Sequence, residues 1–276
     1  MTDKKSFPFI ALAYVLVFLF INIISQTIAL FVEKMVVKDA ADTLSPLATV
    51  IAMAVSTLVT VTIFLWTKWA VVSRNYIMTR PWMVLSWSVV AAFGAIIPSV
   101  YLQELMPEWP DAIQKMVDEA AQQMIGIMNT TGGYAVVCLL APIGEELIFR
   151  GAVLKKLLAW KPQHRWLMIM LSALLFAMAH MNPAQFIHPF LIGLLLGWMY
   201  ERTGSIIPGI AYHWANNTAA FLLTRIYLDP DITITQILGS HSRALMAVGF
   251  SMLIFIPAVY QLNMWMKKAG KNYFNK

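Results

Sequence analysis

From Pro8 to Val32 the chain runs for about 25 residues without a charged side chain. About 20 apolar residues in a helix span the hydrocarbon core of a bilayer, so a stretch of this length points to a membrane before anything else is known. Lys4 and Lys5 ahead of it imitate a signal peptide, but a signal's apolar region is about 7–15 residues long and no small-x-small cleavage site follows here. The segment reads as an uncleaved first span. Composition extends that reading to the whole chain. Of its 276 residues 59% are hydrophobic and 12% charged, against about 25% charged in an ordinary soluble domain. So few charges cannot cover a soluble globule of this size. With 13 Gly, 13 Pro and a single Cys, collagen-like, disordered and disulfide-stapled classes are excluded as well. The fold class is all-α: a polytopic membrane helix bundle.

Eight apolar segments qualify as spans, at about 8–32, 46–72, 82–102, 133–154, 166–183, 185–200, 206–224 and 244–266. The fifth and sixth are short and joined through Asn182-Pro183, which leaves their boundaries loose. With the N-terminus inside, all of the 20 Lys and Arg except Lys34, Lys38, Lys115, Arg225 and Arg243 fall on the inner side. The positive-inside rule therefore supports eight spans in the cell membrane with both termini cytoplasmic. The same placement accounts for the net charge of +6. No basic run is interleaved with exposed aromatics, so nucleic acid is not an expected partner. Between Asp111 and Asn129, Ile113, Met116, Val117, Ala120, Met124 and Met128 recur at helical spacing with Asp111, Lys115, Asp118, Glu119 and Gln122 on other faces. That pattern predicts an amphipathic surface helix, either packed on the bundle as a connector or lying over a substrate entrance. No internal repeat is visible. The chain reads as one membrane domain, with N-terminal helices over 1–132, a motif-bearing core over 133–224, and an outer loop and last span over 225–276.

Ionisable groups inside spans cost roughly 2.5–3.5 kcal/mol each to insert, so each is a candidate for function. Here they cluster. The interiors of the first three spans hold none. The fourth contains Glu145, Glu146 and Arg150, the fifth His180, the seventh His213 with Asn216 and Asn217. At 1.5 Å per residue from the inner-face markers Lys155, Arg165 and Arg202, Glu145, His180 and His213 lie roughly 15–22 Å deep, so three helices deliver polar groups to similar depths. Glu146 and Arg150 stand four residues apart, the spacing of an intrahelical ion pair. Glu145 points about 100° away and lacks that partner, and an unpaired carboxylate in a low-dielectric cavity suits proton exchange near neutrality. His213 and Asn217, also four apart, face one side and can both donate to a single oxygen, as an oxyanion needs.

Plainer readings apply to several of these residues. A Glu–Arg pair inside a helix is often structural, and a lone membrane His often bonds between helices. Asn216 reads as a helix contact, His164 and His241 as solvated loop residues, and Cys138 as a small buried hydrophobe. His188 is open between the two kinds of role. Gly193-x-x-x-Gly197 suits close helix packing.

Glu-Glu-x-x-x-Arg, Phe-x-x-x-His and His-x-x-x-Asn, in that order and each in its own apolar segment, resemble the CPBP family. These are the CAAX-protease and bacteriocin-processing (Abi, or type II CAAX prenyl endopeptidase-like) intramembrane proteases. The run from Gly193 through Tyr200, Thr203-Gly204-Ser205 and Pro208 to His213 is similar to the family's link between its second and third motifs. The resemblance covers about 133–224. It implies that Glu145, with His180, activates the water that attacks a peptide carbonyl. Glu146 and Arg150 would be the supporting pair, and His213 and Asn217 the oxyanion pair. It implies a peptide or membrane-protein substrate, prenylated or not, with lipid as the surrounding partner. The oligomeric state is not legible. No cofactor is expected; a zinc ion on Glu145, His180 and His213 is the alternative, although the His-Glu-x-x-His zinc helix is absent. A non-enzymatic membrane immunity or scaffold protein of the same family is the alternative to an enzyme. A transporter fits less well, because transporters tend to repeat their broken helices in both halves, whereas the charges here gather in one.

Overall fold

The computed structural model describes residues 7–37, 41–72, 74–106, 109–183, 186–227 and 232–266. The expected orientation markers Lys4, Lys5, Lys38, Lys267, Lys268, Lys271 and Lys276 lie outside the described residues. Among those described, all regular structure is helical. The first half comprises α1 (Phe7–Val36), α2 (Pro46–Trp66), α3 (Trp82–Glu104) and α4 (Asp111–Asn129). A continuous helix, α5, then passes without a break through Ala135–Leu140, Ala141–Ile148, Phe149–Leu154 and Lys155–Trp160. It is followed by α6 (Arg165–Ala179), α7 (Ile187–Thr203), α8 (Ile207–Ile226) and α9 (His241–Trp265). Short turns of helix at Arg74–Met78 and Ile234–Leu238 fill two of the connections.

Each of the eight expected spans coincides with one of these helices, but only α1, α2, α3 and α9 are long and apolar enough to cross a membrane on those criteria alone. The other four carry the polar residues and are shorter, or more polar, than a free-standing span. Several predicted boundaries move: the first span's helix runs on to Val36 and the fourth span's to Trp160, while two others stop short. The second span ends at Trp66 rather than 72, because Lys68 turns left-handed (φ 59°) after the Thr67 cap. The fifth ends at Ala179, where His180 caps it and Met181 adopts φ 49°.

Local chemistry explains the remaining starts and stops. Ser45 caps α2 by accepting from the Ala48 N–H at 3.3 Å, and Pro46 fills the first turn, where no donor is needed. Gly204 ends α7 in the left-handed conformation (φ 65°), donating to the Tyr200 carbonyl at 2.7 Å, and Pro208 opens α8. The Gly-Ser-x-x-Pro stretch between the second and third motifs is therefore a helix stop followed by a helix start. His241 is the first residue of α9, not a loop residue, and its Nε2 lies 2.8 Å from the Tyr101 hydroxyl of α3.

Packing is closest where side chains are smallest. A Cβ on Gly193 would lie 2.9 Å from Ala173, and one on Gly197 2.9 Å from Ile169, so α7 sits against α6 with its backbone nearly in contact. Gly94 brings α3 equally close to α9 at Phe255. The main core gathers Phe64, Leu147, Ile148, Phe149, Met168 and Phe176, all essentially inaccessible. α4 is pinned to the bundle at its C-terminal half: Gln123 reaches Thr49 of α2 at 3.5 Å, and Asn129 accepts from Arg225 of α8 at 2.7 Å. Toward its N-terminal half Met116 stands 61% exposed, as an amphipathic surface helix requires.

Candidate active site

The middle of α5 is an α-helical stretch, Ala141–Ile148, bracketed by two π-helical segments. π-Helical turns widen the helix and gather at functional sites. In the first, the Ala141 N–H reaches back to the Val136 carbonyl. The next donor in that register would be Pro142, which has no N–H. The Val137 carbonyl is thus left over, and the Asn217 side-chain amide of α8 takes it at 3.0 Å. In the second, the Phe149 carbonyl accepts from the Ser172 hydroxyl of α6 at 3.0 Å. The unusual backbone of α5 is therefore tied to the two helices that carry the other polar residues.

Between the π segments stand the two glutamates. Glu146 and Arg150 are both fully buried, and Arg150 NH1 donates to Glu146 Oε1 at 2.8 Å, the expected pair. The same oxygen lies 3.3 Å from Nδ1 of His213. Glu146 Oε2 has no hydrogen-bond partner among the described residues, and a Cβ on Gly209 would lie 2.6 Å from it. Gly209 on α8 is the space into which the carboxylate fits. Glu145 is less enclosed, its side chain 22% exposed, and is not bonded to Arg150, as its helical angle predicts. It is not solitary, however: Nε2 of His213 lies 3.7 Å from its Oε2. His213 thus stands between the two carboxylates, one at each ring nitrogen.

Phe176, known from the sequence only as the first residue of Phe-x-x-x-His, sits at the centre of the constellation. The Arg150 guanidinium lies 4.4 Å over its ring centroid, a desolvated cation on an aromatic face. The rings of His180 and His213 meet it edge-on at 4.9 and 5.9 Å. One aromatic ring orients a cation and two imidazoles, which is a physical reason for that residue type at that spacing. Nδ1 of His180 lies 2.9 Å from the Phe176 carbonyl. A carbonyl can only accept, so Nδ1 carries the proton and Nε2 presents its lone pair.

Glu145, His180, His213 and Asn217 all line one cavity of about 420 Å³. Glu146 and Arg150 lie behind it, as supports rather than lining. Much of the remaining wall is apolar, with Met53 of α2, Ile96 and Val100 of α3, Met124 and Met128 of α4, and Ile192 of α7, interrupted on α3 by Ser99 and Gln103. Two further lining residues bear on the sequence reading, which leaves His188 open and takes Asn216 for a helix contact. His188 faces the cavity, and so does Asn216, whose side chain also donates to Asn217 Oδ1 at 3.3 Å. Residues on neighbouring turns of a helix with no clear amphipathic face give no signal of which one points inward. Asn217 itself has one amide hydrogen committed to Val137 and one left for a ligand. Among the described residues, no three His, Cys, Asp or Glu side chains are gathered as a metal ion would need.

Residues 128–219 match the family described as type II CAAX prenyl endopeptidase Rce1-like. The match encloses every motif quoted above and stops short of the first three helices and the last. No curated protein and no solved structure matches the chain.

Proposed function

We propose that this integral membrane protein of the CAAX protease family is an intramembrane endopeptidase, cleaving a peptide bond within the 420 Å³ cavity. The single observation that carries the reading is the convergence of Glu145, His180, His213 and Asn217, from three separate helices, on one cavity. Water held between the Glu145 carboxylate and the free lone pair of His180 Nε2 attacks the peptide carbonyl carbon. Glu145 accepts the proton and returns it to the leaving amine. The oxyanion that forms accepts hydrogen bonds from His213 Nε2–H and the uncommitted Asn217 amide hydrogen. His213 is held for this role between the two carboxylates, with Nε2 3.7 Å from Glu145 Oε2 and Nδ1 3.3 Å from Glu146 Oε1.

The apolar wall favours a substrate that enters with an apolar segment: a membrane-associated peptide or the C-terminal tail of a membrane protein, prenylated or not. In this reading α5, α6, α7 and α8 also cross the bilayer, giving eight spans with both termini cytoplasmic. The chain's own side chains suffice for the chemistry, without a cofactor.

The test is a kinetic cycle on a cleaved peptide. Glu145→Gln and His180→Ala should each lower kcat by at least 10²-fold, and the double variant should be no worse than the poorer single one, because residues acting as a unit are not additive. Wild-type turnover in Glu145→Gln overturns the reading.

A further inference from the structure

Glu145 borders a second, smaller space, which shares Met53 and Ala141 with the substrate cavity as well as Glu145 itself. This one measures about 50 Å³; Phe18, Met53, Ala141 and Ile148 form its apolar wall, and Asn22 of α1 with Thr57 and Thr60 of α2 its polar one, beside Gly144 of α5. α1 and α2 lie outside the family match and hold no charged residue at this level, yet they place three polar side chains behind the glutamate. Asn22 stands near the middle of the 30-residue apolar helix α1. Its amide donates to the Phe18 carbonyl at 3.0 Å, and its oxygen accepts from Ser56 at 3.0 Å. One N–H and one lone pair remain. Thr60 donates to the Ser56 carbonyl at 2.7 Å and keeps its acceptor capacity. Among the described residues the Thr57 hydroxyl makes no hydrogen bond. A Cβ on Gly144 would lie 2.8 Å from the Thr57 methyl, so glycine is what brings α5 this close to the hydroxyl-bearing face of α2.

Polar groups in hydrocarbon are costly unless satisfied, and a polar space needs only about 10–15 Å³ to hold a water with two to four partners. We propose that this pocket is a water-holding site, bounded by Asn22, Thr57 and Thr60, that supplies Glu145 with the water consumed in hydrolysis. Each turnover takes one water from it: the oxygen goes to the acyl carbon, one proton passes through Glu145 to the released amine, and the other stays with the new carboxylic acid. Thr57 and Asn22 are positioning residues, acting on the substrate only through that water. The supply role rests on the protease reading; the existence of the site does not.

The test uses the full chain in detergent, as wild type, Thr57→Val, Thr57→Ser and Glu145→Gln. Pulsed X-ray hydroxyl-radical labelling, which marks side chains beside held water, is read at Phe18 against outward-facing Phe20. Phe18 should label at least threefold faster than Phe20 in wild type and Thr57→Ser, and fall to the Phe20 rate in Thr57→Val, which keeps the side chain's shape. Equal labelling of Phe18 and Phe20 in wild type, or undiminished Phe18 labelling in Thr57→Val, overturns the site. In the kinetic arm Thr57→Val should lower kcat about tenfold at unchanged KM, with Thr57→Ser near wild type. Lost labelling with unchanged kcat overturns the supply role. Full activity in Glu145→Gln would instead sink the protease reading, and labelling would decide the site on its own.

Discussion

The two kinds of helix in this molecule meet the membrane in opposite ways. α1, α2, α3 and α9 are long and apolar, and no more than a third of each apolar stretch is buried; Phe20, Phe250 and Leu253 are each more than 60% exposed. In α5 the relation is reversed: every residue from Glu146 to Leu154 is buried, two of them charged. The outward helices satisfy the bilayer by composition, and many sequences would serve. α5 to α8 bury polar groups largely by bonding them to one another, which ties Glu146 to Arg150 and His213, Asn217 to Val137, and Ser172 to Phe149. Substitutions should therefore be felt very unequally in the two regions.

The largest effect is expected at the buried ion pair. Arg150→Met takes the guanidinium from the buried Glu146 carboxylate, leaving it only His213 Nδ1 at 3.3 Å, and should cost about 3–5 kcal/mol, read as a lowered thermal midpoint of the purified protein. Glu146→Leu combined with Arg150→Met should recover most of that loss, since it is the orphaned charge that is expensive. If the single variant melted like wild type, the contrast between the regions would fail at its strongest point. Next comes Asn217→Ala, which removes an oxyanion donor and frees the Val137 carbonyl. Its kcat should fall about 10²-fold or more, with a small loss of stability. A change confined to KM would show that Asn217 holds substrate rather than the oxyanion. At the other extreme, Leu253→Ala on the outer face of α9 should shift stability by no more than about 0.5 kcal/mol. A large shift there would mean that this face is covered by another part of the assembly.

The outward helices were legible in place, with ends off by up to six residues, because an unbroken apolar run marks a helix whatever its neighbours but not where its caps fall. The amphipathic helix was equally plain, with predicted and observed limits both at Asp111 and Asn129. The polar residues of the site were legible for the opposite reason, being expensive exceptions in apolar segments. What surrounds them was not. The π segments of α5 depend on Pro142 and on bonds to other helices, which a single segment does not reveal. The role of Phe176 comes from three partners spread over α5, α6 and α8. Gly209 looks like any helical glycine until the Glu146 carboxylate is placed 2.6 Å from where its Cβ would be. Asn22 and Thr57 are uncharged, so a search for charges in membrane spans passes over them.

The most direct measurement of the central claim is cleavage of a quenched fluorescent peptide library by purified wild type and Glu145→Ala, each with and without a chelator. The account predicts cleavage by wild type that chelation leaves unchanged, and none by Glu145→Ala at equal folded protein. Cleavage that chelator abolishes and zinc restores would contradict it, moving His180 and His213 from water activation and oxyanion binding to metal ligation.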